Sequence, residues 1–139
     1  MGAEPAIAVE ILRDADPFAA ASRALAAGPS PSDPGFFYFH HPAWADVVWR
    51  RWEGARGSRP FLLRAWCGDR LAGWWPLVRS KRRVGYRLQN LGQELCDYAF
   101  PFVAAPWADR RAEILCAMLR TLAAERRQFA FAQFAGFLY

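Results

Sequence analysis

The chain has 139 residues, a length that fits one domain. Hydrophobic residues make up 54% of it and aromatic residues 16%, which excludes a disordered chain unable to bury a core. The net charge is +5, but Lys81 is the single lysine among 18 cations. Arginine usage this lopsided, beside abundant alanine, reflects the base composition of coding DNA and is no argument for nucleic-acid binding.

Three cysteines, Cys67, Cys96 and Cys116, are odd in number and widely spaced. That fits reduced, buried thiols in a cytoplasmic protein better than a disulfide framework. Glu4, Glu10 and Asp14 interrupt the N-terminus, so it does not read as a secretory signal. No run approaches the roughly 18 apolar residues of a membrane span. Gly2 is followed by Ala6, where a myristoylation signal needs Ser or Thr.

Residues 6–12 (AIAVEIL) read as a first strand. Asp16 and Pro17 then suit the N-cap and first position of a helix over residues 16–27, closed by Gly28. Residues 29–35 (PSPSDPG) are a breaker-rich loop. Pro42 opens a second helix, ending near Gly54, on which Trp44, Val48 and Trp52 share one face at i, i+4 and i+8. Residues 61–67 and 70–78 flank Gly68-Asp69, a strong hairpin signal that pairs Trp66 with Leu71 and Leu63 with Trp74. A turn over 80–83 leads to a strand over 84–91, and residues 92–106 are irregular. Residues 109–126 form an amphipathic helix with Leu115, Met118, Leu119 and Leu122 as its apolar stripe. Residues 129–134 (FAFAQF) read as a last strand. The order is β-α-α-β-β-β-α-β. This is an α+β chain, with helices flanking a mostly antiparallel mixed sheet. Residues 1–5 and 136–139 are expected to be loose ends of a single domain.

The segments PFLLRAW, GDRLAGWWPL, LQNLG and DYAFPF, with the aromatic helix PAWADVVWRRW before them, carry a resemblance. Across residues 36–135 the chain resembles the N-terminal half of CelD-type acetyltransferase-like proteins, which are related to the FemABX transferases within the GNAT superfamily. The resemblance implies transfer of an acyl group from acetyl-CoA or another acyl-CoA to an amine or hydroxyl acceptor, such as a sugar or polysaccharide precursor. It implies two GNAT-like halves with the acyl donor in the second. This chain is then an incomplete GNAT-like half, inactive alone, whose partner is the missing C-terminal half.

The resemblance points to the turn after the fourth GNAT strand, where Q/R-x-x-G-x-G/A amides hold the diphosphate of coenzyme A. Residues 89–94 (QNLGQE) end in Glu94, whose carboxylate would repel phosphates. No cofactor is therefore expected on this chain. In its place stands an aromatic loop in which Asp97 and Tyr98 either hold the loop's own backbone and core or bind an acceptor. Arg87 joins them as a candidate acceptor contact. It belongs to a basic cluster with Arg79, Lys81, Arg82 and Arg83 that reads first as a solvated turn, with contact to a phosphate, nucleotide or acidic glycan as the alternative. His40-His41 sit at a helix entry and lack the spacing of metal ligands. No catalytic residue is assigned. A non-catalytic binding module is the rival from another class, and a nucleic-acid binder a third.

Overall fold

The computed structural model describes residues 4–13, 41–95 and 101–134. The expected helix over 16–27, the loop over 29–35 and His40 lie outside them, as do Cys96, Asp97 and Tyr98.

Six strands form one sheet: β1 (Ile7–Leu12), β2 (Arg59–Cys67), β3 (Arg70–Lys81), β4 (Tyr86–Asn90), β5 (Phe102–Val103) and β6 (Phe131–Ala132). The order is β1-β2-β3-β4-β6, with β5 pairing β3 off this path. All pairs are antiparallel except β4 with β6, which are parallel. A parallel neighbour requires a crossover, and helix α2 (Arg111–Ala124) lies in the connection. The other helix, α1 (Pro42–Val48), precedes the meander. The chain is thus α+β with a mostly antiparallel mixed sheet, as the sequence predicts.

Each sheet face carries its own core. On one face Phe61, Leu63, Ala65, Trp75, Leu77 and Leu88 pack with Ile114, Met118 and Leu122 of α2. On the other, Leu62, Trp74, Val78, Leu91 and Phe102 pack with Ala45, Val48 and Trp49. Both faces being covered explains why β2 and β3 read as near-continuous apolar runs, without alternation.

Four sequence expectations need correction. The hairpin turns at Gly68, with φ +63°, and pairs Trp66 with Leu71, but Leu63 faces Trp75 and not Trp74. A bulge between Ala65 and Trp66 on the β2 side leaves Ala72 as an extra residue on β3. Ala72 and Trp75 therefore share the α2 face, while Leu71 and Trp74 join the α1 face. The tight packing of α2 lies next to the bulge. A Cβ on Gly73 would come within 2.9 Å of Met118 Cε and 3.1 Å of Ile114 Cγ2.

The second correction concerns the aromatic helix. It begins at Pro42 as expected, with the Nδ1 of His41 accepting from the Ala43 amide. From Trp49 to Glu53 it widens into a π turn, closed by the Gly54 amide donating to the Trp49 carbonyl at 2.8 Å. Ala45, Trp49 and Glu53, spaced by four, form the buried row. Trp49 and Glu53 are buried, whereas Trp52 is 37% exposed. Third, the α2 stripe is Ile114, Met118 and Leu122, with Leu119 turned outward. The i+4 row faces the sheet directly, and Leu115 packs at its margin. Fourth, the thiols divide: Cys67 is buried but Cys116 is exposed.

Candidate functional site

Strand β4 ends in two polar residues, Gln89 and Asn90, each at most 3% exposed. Buried polar groups require partners, and these two find them on opposite faces of the sheet. On the α2 face, Trp75 Nε1 donates to Asn90 Oδ1 at 2.8 Å. On the α1 face, Gln89 Nε2 donates to Glu53 Oε1 at 3.4 Å, and Ser80 Oγ donates to Gln89 Oε1 at 3.2 Å.

Glu53 is the centre of this second set. It is 3% exposed and is the last residue of the π turn. Its Oε2 accepts from Ser58 Oγ at 2.8 Å, and its Oε1 accepts from the Gly92 amide at 3.3 Å. Gly92 itself has φ +62°. A Cβ there would come within 2.8 Å of Val48 Cγ1 and 2.9 Å of Trp44. Only glycine lets the turn after β4 press against α1 and reach the carboxylate.

Four further amides at this turn are engaged. Leu91 donates to the Pro76 carbonyl, Gln93 to the Asn90 carbonyl and Leu95 to the Gly92 carbonyl, at 2.8–3.2 Å. The Asn90 amide donates to Gln93 Oε1. A diphosphate cradle needs amides converging on an anion. Here the anion that meets the Gly92 amide is an internal one, Glu53, and the turn does not fit a diphosphate. Glu94 points outward, where its carboxylate accepts from Arg56 at 2.9 Å. That hydrogen bond holds the Glu94 carboxyl below its ordinary range.

Arg87 stands beside this set. Its NH1 donates to Gln133 Oε1 at 3.0 Å, while its buried Nε has no partner. Burial is the first cause that lowers its pKa; the neighbouring charge of Arg82 acts in the same direction, and Glu94 and Glu53 oppose both. The result is a half-buried guanidinium with a neutral hydrogen-bonding partner, close to one surface carboxylate. Such a group can take a carboxylate or a hydroxyl-rich ligand. Among the described residues no cluster of His, Cys, Asp or Glu could hold a metal.

Of the three sequence-predicted site residues, Arg87 is therefore at a polar site, while Asp97 and Tyr98 lie outside the described residues. The basic cluster does not act as one group. Arg79 reaches Gln128 on the α2 face, Arg87 reaches Gln133, and Lys81, Arg82 and Arg83 are exposed. Glu53 was not legible as a site residue. The signal was Gln89-Asn90 between Leu88 and Leu91: an uncharged polar pair inside an apolar strand demands a buried partner somewhere in the chain.

The class that the fold defines is an α+β protein with two covered sheet faces. Comparison goes no further, since the chain matches no family model, no curated protein and no solved structure. No helix among the described residues is long and apolar enough to cross a membrane.

Proposed function

We propose that this chain is the acceptor-side half of a GNAT-type acyltransferase, working in the cytoplasm. It forms one wall of a cleft for an amine- or hydroxyl-bearing acceptor such as a sugar. The acyl-CoA donor binds a second GNAT-like half. The observation that carries this reading is the strand order. An antiparallel β1–β4 run is followed by a helical crossover to β6, parallel to β4. That topology supports the likeness seen in the residues. The last β4–β6 register pair is Leu88 with Ala132, and β4 continues beyond it through Gln89 and Asn90.

In this reading Arg87 orients the acceptor through its fork, and the Glu53 network keeps β4 and the following turn rigid beneath it. Glu94, held anionic by Arg56, is a weak base and suits recognition of a cationic amine. Acyl transfer of this kind depends largely on positioning.

The test is an amide and guanidinium NMR titration of the whole chain. Glucosamine should shift the Arg87 and Gln133 resonances, and Arg87→Ala should abolish the response. Acetyl-CoA should leave the amides of residues 90–95 in place. A saturable acetyl-CoA shift at Gly92 would overturn the assignment of the donor to another half. No response of Arg87 to amine- or hydroxyl-bearing sugars would overturn the acceptor wall.

A further inference from the structure

On the α2 face, away from Arg87, arginines and aromatic rings alternate across four strands. The guanidinium of Arg13, just past β1, lies 5.2 Å from the centroid of the Phe61 ring. That of Arg79 lies 5.8 Å from Phe61 and 5.3 Å from the Tyr86 ring, and that of Arg59 lies 5.8 Å from Tyr86. Arg59 and Arg79 are direct cross-strand partners on β2 and β3. Like charges in facing positions destabilise a sheet.

Counter-charge is short here among the described residues. The nearby carboxylate among them is Glu125, and it is paired with Arg13. Arg79 donates to the Gln128 carbonyl and to Gln128 Oε1, both neutral, and its buried Nε has no partner. Burial lowers the Arg79 pKa first, and the charges of Arg59 and Arg13 lower it further; Tyr86 and Glu125 oppose them. A guanidinium does not shed its proton to relieve such strain. The C-terminal end of α2 supplies only a partial negative charge. Phe61 cannot act as a base-stacking platform, because it is fully buried. The rings hold the guanidiniums in place.

We propose that Arg13, Arg59 and Arg79 form an anion site for the phosphate group of a small soluble phosphate ester, with Arg59 and Arg79 as the principal contacts. Arginine forks match phosphate oxygens in pairs, and an anion there converts the mutual repulsion of Arg59 and Arg79 into shared attraction. The site is independent of the acceptor cleft, which lies on the other face.

The two roles of Arg59 make the test decisive. Thermal unfolding of the full chain is followed in phosphate-free buffer and in pyrophosphate, with chloride added to hold ionic strength constant. Without pyrophosphate, Arg59→Gln, at an exposed position, should melt at or above the wild-type temperature, because a like charge is gone. With pyrophosphate, the wild type should gain more than the variant, so that the order reverses. Direct titration should show about tenfold weaker pyrophosphate binding by Arg59→Gln, the loss of one charge-assisted contact. Arg111→Gln, at the far end of α2, should bind as the wild type does. If Arg59→Gln melts lower in phosphate-free buffer, Arg59 is only a sheet residue and the proposal fails. It fails equally if pyrophosphate stabilises no more than chloride, or if binding occurs only on phosphatidic-acid vesicles while pyrophosphate is silent.

Discussion

Gly92 and Glu53 are each defined by what the other requires. Replacing Gly92 by Ala forces a side chain into the left-handed region, which alone costs about 1–2 kcal/mol. It also drives the new Cβ against Val48 and Trp44. The expected loss in urea unfolding is therefore larger than the conformational figure. Glu53→Ala leaves Ser58, Gln89 and the Gly92 amide without their acceptor. Each stranded donor costs about 1–3 kcal/mol, so the variant should lose about 3 kcal/mol or more. Glu53→Gln keeps one oxygen and should lose less; an equal loss would mean that the charge, and not the hydrogen bonding, holds the turn. The cysteines give a pH signature. Burial pushes the Cys67 thiol up, partly offset by Arg110. A thiol whose folded pKa is raised adds stability below the ordinary value near about 8.5, and this is lost as pH rises through the folded pKa. The urea midpoint should fall on the alkaline side of that value, less so in Cys67→Ala. In native protein Cys116 should be alkylated readily and Cys67 only on unfolding, read by peptide mass spectrometry.

Among the elements, the π turn makes the sharpest claim. The buried row is Ala45, Trp49 and Glu53, whereas the expected row of Trp44, Val48 and Trp52 ends in an exposed ring. Trp49→Ala should cost about 3–5 kcal/mol, the range for a buried aromatic. Trp52→Ala removes a ring that stacks under Arg56 at 4.9 Å and should cost about 1 kcal/mol or less. Reversed magnitudes in denaturant unfolding would restore the Trp44, Val48 and Trp52 row as the buried one. This element also marks where the sequence ceases to be legible. Pro42 and Gly68 announce a start and a turn, because proline fixes φ and glycine freely takes the positive φ found at Gly68. The expected row of Trp44, Val48 and Trp52 and the observed row of Ala45, Trp49 and Glu53 both keep the i+4 spacing, and a carboxylate is the last residue that spacing alone would bury. The Ala72 bulge is silent too: both faces of β3 are apolar, and no alternation fixes its register. Strand β5 is two residues long, too short to carry any period. The candidate site was half legible. Gln89 and Gly92 stand out in LQNLG, whereas their partner Glu53 lies 36 to 39 positions upstream.

At the scale of the whole molecule, stability should be graded across the sheet. Strand β3 lies at the centre, paired with β2 along its length and with β4 and β5 on its other side. Both its faces are covered, by α1 and by α2. Strand β6 is the contrast: two exposed residues, tied to β4 by a short parallel register and by the flanking amides of Ala130 and Gln133. Arg79 to Gln128 and Arg87 to Gln133 are the side-chain clamps that fasten this edge from opposite faces. Local opening follows buried area and shared hydrogen bonds, so amides of β2 and β3 should exchange only with global unfolding, and those of Ala130 and Gln133 far sooner. Arg87→Ala removes one clamp without touching the central strands. It should speed exchange at Gln133 while leaving β3 amides unchanged. Uniform acceleration across the sheet would mean instead that β6 opens only with the core, and that the β4–β6 edge cannot move independently to admit a ligand beside Arg87.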